Sequence, residues 1–215
     1  MKTIRAFVAV NLDIDAVRAV AEEQKRLKDR CAAAGIKVAW IPPPNMHITV
    51  RFLGDVAEPF ARALETAIEP AVRRVSGFEV EALGLGAFPD LERPRVLWAG
   101  VKDDAGRLAA LYSAVSERLV GAGLKPDDKP FRSHMTIGRV KDGPVEALTS
   151  VLADGAGKSF GRAWVRDVTL YKSELKPTGA EYTPLWRLPL QGGPEPRSVR
   201  PSQPHPGETP DKEIP

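Results

Sequence analysis

Two short segments of the sequence repeat a histidine and a threonine at the same spacing. His47–Val50 and His134–Ile137 both run histidine, apolar residue, threonine and β-branched aliphatic residue. Threonine fills nine of the 215 positions, so chance would place one two residues after both histidines only about 0.2% of the time. The spacing therefore indicates an internal repeat, and we call the two segments the H-x-T frames. The third histidine, His205, lacks the frame.

Each frame follows a proline-containing loop and is predicted to open a β-strand. Side chains two residues apart on a strand point to the same face, so His47 and Thr49 would share one surface, as would His134 and Thr136. The apolar residue between each histidine and threonine would face the core. If two such strands lie side by side about a pseudo-two-fold axis, two imidazoles and two hydroxyls face one another across a cleft.

These residue types suit acid and base chemistry at phosphorus. Imidazole has an ordinary pKa of about 6.5, so one histidine can accept a proton while the other donates one. In-line displacement at phosphorus needs such a pair, together with donors for the non-bridging oxygens, which the threonine hydroxyls can supply. A catalytic zinc site is less well supported, because it generally uses three protein ligands and no third ligand motif accompanies the pair.

The composition is that of a globular chain with a core. Hydrophobic residues make up 43% of the chain and charged residues 27%, which excludes a wholly disordered polyelectrolyte. The single cysteine, Cys31, excludes an intramolecular disulfide framework. No apolar run approaches the roughly 20 residues that span a bilayer, and the first residues lack a signal-peptide core. We therefore expect a cytoplasmic location and no membrane partner.

Helical and strand patterns alternate along residues 1–190, which predicts an α/β or α+β protein in which strand-loop-helix units occur twice. Helices are predicted up to about residue 34 and over residues 58–74, 103–121 and 145–152. Strands are predicted near residues 3–12, 46–53, 78–83, 95–101, 131–140, 163–171 and 181–190.

Residues 191–215 differ sharply from the rest in composition. They contain seven of the 20 prolines and no aromatic residue. Such a segment cannot repay its ordering entropy, so we expect a Pro-rich flexible tail after a single two-lobed domain at residues 1–190. The tail has three basic and four acidic residues, so the net charge of +3 for the whole chain becomes +4 for residues 1–190. This surplus permits an anionic partner without requiring one.

The sequence resembles the two-histidine (2H) phosphoesterase superfamily, and within it the bacterial, LigT-like RNA 2′,3′-cyclic phosphodiesterases that are also described as 2′-5′ RNA ligases. The resemblance covers nearly all of residues 1–190. It rests on residues 5–10, 47–54, 93–101, 134–139 and 173–182. It implies an α+β, bilobal, pseudo-two-fold duplicated fold, in which two antiparallel sheets face a central cleft with helices packed outside.

The resemblance also implies an activity and a role for each site residue. The activity is hydrolysis of a 2′,3′-cyclic phosphate, on RNA or a nucleotide, to a 2′-phosphomonoester without metal or cofactor. His47 would be the proton donor and His134 the proton acceptor, while Thr49 and Thr136 would hold the phosphate oxygens. The reverse reaction, an ATP-independent 2′-5′ ligation, follows from microscopic reversibility.

Arg139 matches a position of the family that is expected to contact phosphate. Strand parity contradicts this role, because a residue five positions after His134 should point to the opposite face of the strand. A β-bulge at Gly138 would remove the objection.

Several side chains near the frames have two interpretations. Arg51 has the strand parity of His47, and Arg132 has that of His134. Both are candidates to contact a phosphate or the RNA backbone, and both can equally be solvated strand arginines. Aromatic residues on strands can stack on a base or belong to the core. The aromatic candidates are Phe7, Trp40, Trp98 and Tyr171.

Two alternatives to an enzyme remain open from the sequence. The same cleft would also suit a non-catalytic module that binds RNA ends, and two buried histidines could belong to a purely structural protein. In the enzyme and the binding module alike, the partners are RNA ends or nucleotides that carry a 2′,3′-cyclic phosphate. Nothing in the sequence indicates an oligomer, so we expect a monomer.

Overall fold

The structure is a computed structural model that describes residues 2–176 and 179–192. Within these residues the helices are α1 (Ile14–Ala33), α2 (Glu58–Val72), α3 (Arg107–Gly121) and α4 (Leu148–Ala153). The strands are β1 (Thr3–Val10), β2 (Lys37–Trp40), β3 (Ile48–Ala57), β4 (Phe78–Phe88), β5 (Val96–Lys102), β6 (His134–Asp142), β7 (Ser159–Val165), β8 (Asp167–Lys176) and β9 (Gly179–Pro189).

The named strands form one antiparallel sheet that consists of two matching halves. The strand order is β7-β4-β5-β6-β3-β1-β8-β9, with β2 added on β6. Strands β3 and β6, which carry the H-x-T frames, are neighbours at the centre and are joined through the pair Ile48 and Met135. The first half is therefore β3-β1-β8-β9 and the second half is β6-β5-β4-β7. These halves are the two antiparallel sheets predicted from the sequence, and the α+β class is confirmed.

The helices cover the sheet on one face, two helices to each half. α2 and α3 pack on the first half, whereas α1 and α4 pack on the second. α1 buries its apolar residues at helical spacing, among them Val20, Leu27 and Cys31. Within the described part of the chain no helix packs on the opposite face of the sheet, and the cleft lies on that face.

Several strand predictions differ from the structure. β3 and β4 both run past their predicted ends. The apolar run near residues 163–171 was expected to be one strand, but β7 ends at Val165 and β8 begins at Asp167. The chain crosses there from the edge strand β7 to β8, which lies between β1 and the opposite edge strand β9, and Arg166 pairs with Asp13 at the corner. β-Propensity alone does not show such a corner. The short strand β2 was not predicted, because the prolines that follow it dominate the local pattern.

The predicted boundary between domain and tail falls close to the end of the described residues. β9 ends at Pro189, and Gln191 still pairs with Ser76 as an isolated parallel bridge. Residues 193–215, with His205, lie outside the described residues, so the flexible tail stays a prediction.

A β-bulge follows the threonine of each frame. Between β1 and β3, Ala9 pairs with Thr49 and Val8 with Arg51, which leaves Val50 unmatched. Between β5 and β6, Trp98 pairs with Thr136 and Leu97 with Gly138, which leaves Ile137 unmatched. A bulge inserts one residue, so every later residue of the strand changes face relative to an unbroken strand. The duplication therefore includes the bulges as well as the frames.

The pair that joins the halves gives a prediction about stability. Met135 is completely buried, so Met135→Ala should lower the free energy of unfolding by about 2–5 kcal/mol, because it opens a cavity at the junction. Leu175→Ala is the control, since Leu175 is 76% exposed and its loss should change stability by no more than about 0.5 kcal/mol. Urea titrations of both variants measure this, and an equal effect of the two would contradict the packing described above.

Candidate active site

The antiparallel pairing of Ile48 with Met135 brings the two frames together. Continuing this register by one residue in each direction places His47 opposite Thr136 and Thr49 opposite His134. Ile48 and Met135 are fully buried, whereas the four polar side chains are partly exposed. The structure thus brings the two histidines and two threonines onto one face, as the strand parity of the sequence predicts.

Both imidazoles are held by the same kind of hydrogen bond. Nδ1 of His47 lies 2.8 Å from the carbonyl oxygen of Asn45, and Nδ1 of His134 lies 2.6 Å from that of Arg132. A carbonyl oxygen can only accept, so Nδ1 is the donor in each case and Nε2 is left for the cleft. In the neutral ring, Nε2 of His47 accepts a hydrogen bond from the Thr49 hydroxyl at 3.1 Å.

Burial favours the neutral form of both imidazoles in the free protein. Desolvation is the main cause that lowers the pKa of His47, to about 4, and the positive charges of His134 and Arg139 add to this effect. Burial is also the main cause that lowers the pKa of His134, again with a contribution from Arg139. An anion bound between the rings would favour their charged forms and raise both pKa values.

Aromatic rings surround His47. The Phe7 ring stacks on the imidazole with 4.6 Å between centroids, and the Tyr182 ring meets its edge at 5.3 Å. Tyr171 stacks on Phe7 and its hydroxyl accepts a hydrogen bond from the side-chain amide of Asn11 at 3.0 Å. Tyr182 was not singled out from the sequence, because it comes from β9 and only the sheet order brings it to the site. These rings exclude water from one side of His47.

A small pocket opens beside His134. Its volume is about 250 Å³, and it is lined by Phe88, Trp98, Arg132, Ser133 and His134. The Phe88 ring meets the imidazole edge-on at 4.8 Å, and the exposed Arg132 guanidinium lies 5.7 Å from the centroid of that ring. Arg132 is therefore at the mouth of the cleft, and its contact with a substrate stays a prediction.

Trp98 and Trp40 lie on different faces of the sheet. Trp98 pairs with Thr136 and is on the cleft face. Trp40 pairs with Gly138 on the face that the helices cover, with the ammonium group of Lys28 6.0 Å from its ring centroid. Among the four aromatic candidates, only Trp40 is thus away from the cleft.

The bulge in β6 turns Arg139 into the cleft. Arg139 pairs with Val96, which lies two residues from Trp98 and so on the same face as Thr136. Its charge lowers the pKa of both histidines, so the guanidinium lies near both. The parity objection is removed as expected, although the unmatched residue is Ile137, one position before Gly138.

The bulge in β3 has the opposite consequence for Arg51, and the parity expectation is wrong there. Arg51 pairs with Val8, which is buried on the helix side of the sheet. Its side chain is 4% exposed, forms an ion pair with Asp127 and donates to the carbonyl oxygen of Lys125. Arg51 therefore supports the loop after α3, and its side chain does not lie on the cleft face.

Phe52 takes the position in the first half that Arg139 takes in the second. Both follow the histidine of their frame by five residues, and both come after the bulge. Phe52 pairs with Phe7 on the cleft face, is 46% exposed, and has the Arg5 guanidinium 4.7 Å from its ring centroid. The sequence shows that Phe52 and Arg139 have the same spacing from their histidines. Only the two bulges show that this spacing places both side chains on the cleft face.

No three His, Cys, Asp or Glu side chains come together as a metal site within residues 2–176 and 179–192. Over the same residues, none of the helices is long and apolar enough to cross a membrane.

The duplicated sheet and the two converging frames define a two-histidine phosphoesterase. The family model described as LigT like Phosphoesterase matches residues 12–98 and 100–182. The chain therefore belongs to the LigT-like phosphoesterase family, and the resemblance noted from the sequence is confirmed.

Similar proteins are known from archaea and bacteria. An RNA 2′,3′-cyclic phosphodiesterase of Archaeoglobus fulgidus is 37% identical over 183 residues, which cover 85% of this chain and 98% of the relative. A protein of the same name from Aquifex aeolicus is 33% identical over 193 residues, which cover 89% of this chain and 100% of the relative.

Two solved structures share the fold. A protein of Thermus thermophilus superposes with a TM-score of 0.73 at 25% identity, covering 88% of this chain and 99% of that protein. LigT of E. coli in its apo form superposes with a TM-score of 0.69 at 22% identity, covering 89% and 100%. These likenesses confirm the predicted α+β, duplicated fold.

The buried imidazoles give a prediction about titration. In the free protein, NMR titration of the imidazole carbon-bound protons should give pKa values below 6.5 for both frame histidines, with His47 at about 4. Saturating inorganic phosphate should raise both, because an anion favours the imidazolium. His47→Ala and His134→Ala assign the signals. Two pKa values near 6.5 that do not change when phosphate is added would contradict the described burial and the shared anion site.

The placement of Arg51 gives a second prediction. Arg51→Met should cost roughly 3 kcal/mol of stability, because it removes the buried guanidinium that pairs with Asp127 and donates to the carbonyl oxygen of Lys125. Its KM for a phosphate-bearing substrate should stay within twofold of the original. Urea titration measures the stability of the variant, and steady-state kinetics measure its KM. A large rise in KM without loss of stability would show that Arg51 contacts the substrate.

Proposed function

We propose that this protein hydrolyses the 2′,3′-cyclic phosphate at an RNA end, or on a nucleotide, to a 2′-phosphomonoester. The observation that carries the proposal is that two imidazoles present Nε2 to one cleft from neighbouring strands. The family relatives named as RNA 2′,3′-cyclic phosphodiesterases, which match nearly their whole length to this chain, support the same activity.

The two histidines act on opposite sides of phosphorus. His134 Nε2 takes a proton from water as the water oxygen attacks the phosphorus atom, and His47 Nε2 gives a proton to the departing 3′ oxygen. The P–O3′ bond breaks while the P–O2′ bond stays, so the product carries a 2′-phosphate and a free 3′-hydroxyl. The carbonyl oxygens on Nδ1 keep each ring turned so that Nε2 meets the substrate.

The cleft takes up the catalytic proton together with the substrate. Since burial holds the pKa of His47 near 4, this ring is neutral at neutral pH before the substrate binds. The negative charge of the cyclic phosphodiester replaces lost hydration and favours the imidazolium. Substrate binding thereby prepares the acid that the reaction needs.

The remaining polar groups hold the phosphate. The hydroxyls of Thr49 and Thr136 are positioned to donate to the non-bridging oxygens, which gain charge in the transition state. Arg139, whose positive charge lowers the pKa of both imidazoles, pairs with the phosphate.

The other sequence-based expectations stay predictions. Ligation of a 5′-hydroxyl end to a 2′,3′-cyclic phosphate end would use the same groups in reverse and would need no ATP. A monomer and a cytoplasmic location are expected from the sequence. The alternative of a non-catalytic RNA-end binder is less well supported, because the similar proteins carry the name of an enzyme.

The proposed roles predict large losses of activity. His47→Ala and His134→Ala should each reduce the single-turnover rate constant about 10²- to 10⁴-fold on a 2′,3′-cyclic nucleotide, as expected when a general acid or base is removed. His205→Ala is the matched control, because His205 lacks the frame, and it should keep full activity. Single-turnover assays in excess chelator measure all three, and the original chain should stay active there.

Two outcomes of this experiment contradict the proposal. Full turnover by either frame variant would remove that histidine from the reaction. Binding of the 2′-phosphate product without any conversion of the cyclic form would assign the cleft to a binding module. Melting temperatures of the variants separate lost chemistry from lost folding.

A further inference from the structure

Gln24 is a buried polar residue of α1 that the proposed reaction does not use. It is only 1% exposed. Its side-chain Nε2 lies 2.7 Å from the carbonyl oxygen of Ile41 and 2.8 Å from that of Ile137. A carboxamide nitrogen has two protons, so both are used here. One side chain thus joins α1 to two separate segments of the second half of the sheet.

One of the two acceptors is the residue that makes the bulge in β6. Ile137 has no partner on β5. Its carbonyl oxygen points instead toward the segment after β2, where it also accepts a hydrogen bond from the backbone nitrogen of Ile41 at 3.0 Å. An extra residue leaves the ladder locally unpaired, and Gln24 supplies a fixed donor at that place.

The face on which Arg139 lies depends on this bulge. A strand without the extra residue would carry Arg139 on the same side as the buried Met135 and Ile137, because side chains alternate. With the extra residue, Arg139 lies beside the two histidines. The bulge is therefore the local feature that decides whether the guanidinium of Arg139 lies in the cleft.

The first half has a comparable arrangement with different residues. There the bulge at Val50 is followed by Arg51, whose own buried side chain binds Asp127 and the carbonyl oxygen of Lys125. The second half has Gly138 at the matching position, which has no side chain to use. Gln24 from the helix takes this supporting role.

We propose that Gln24 is a positioning residue, which fixes the Ile137 bulge from behind the sheet and so holds Arg139 against the substrate phosphate. The inference rests on the proposed function, since it assigns Arg139 to the phosphate. Gln24 itself lies on the helix side and touches no reacting atom.

A double-mutant cycle tests the inference. Gln24→Met keeps the length and removes both donors, and it should lower kcat/KM for a 2′,3′-cyclic nucleotide about tenfold, mainly through KM. The inhibition constant of inorganic phosphate should rise by a similar factor. Arg139→Met should lower kcat/KM at least as much. In the Arg139→Met background, Gln24→Met should have less than a twofold further effect, because the residue through which it acts is already absent.

A control separates positioning from general packing. Val20 is buried on the same helix, one turn before Gln24. Val20→Ala should lower the melting temperature through lost packing and leave KM and phosphate inhibition unchanged. If Gln24→Met does not fold, Gln24→Asn serves in the same cycle, because its carboxamide is one methylene too short to reach both carbonyl oxygens.

Three results would overturn the inference. An unchanged kcat/KM in a folded Gln24 variant would show that the donors do not matter. An equal loss in both backgrounds would show that Gln24 acts without Arg139. Full activity of Arg139→Met would remove the phosphate role of Arg139 and the inference with it, while the effect of the two histidine variants would still test the proposed function separately.

Discussion

The backbone pairing of Ile48 with Met135 is the contact on which the rest of the site depends. Because the two strands run antiparallel through this one pair, each histidine lies opposite the threonine of the other frame. Both apolar residues of the pair point into the hydrophobic core, so the pair is held by burial on the side away from the cleft. A shift of either strand by one residue would turn that strand's histidine and threonine into the core and its apolar residue, Ile48 or Met135, to the cleft face.

Burial gives the site its electrostatic behaviour. The rings around His47 and the pocket wall around His134 remove water, which lowers the pKa of both imidazoles, and Arg139 adds a fixed positive charge. The free cleft therefore has a positive charge at Arg139 and favours a bound anion. A bound phosphodiester would be that anion, and its negative charge would raise the pKa of the imidazoles of His47 and His134. Binding and catalysis are coupled through this one charge.

The sequence predicts the placement of the candidate catalytic residues better than it predicts their surroundings. The H-x-T frames rest on strand parity over two residues, which no tertiary contact disturbs, so His47, Thr49, His134 and Thr136 fall where they were expected. Parity over four or five residues is less secure, because a single inserted residue reverses it. Arg51 and Arg139 illustrate this reversal. Contacts across the sheet, such as Tyr182 beside His47 and Gln24 behind Ile137, follow from strand order and helix packing, which local patterns do not contain.

The identity of the product tests the central claim most directly. An RNA oligonucleotide with a 2′,3′-cyclic phosphate is incubated with the protein in oxygen-18 water and excess chelator, and the product is analysed by phosphorus NMR and mass spectrometry. The two-histidine reaction described here predicts a 2′-phosphate that carries one oxygen-18 atom, since water attacks phosphorus and the 3′ oxygen leaves. A 3′-phosphate product, or an unchanged cyclic phosphate, would contradict it.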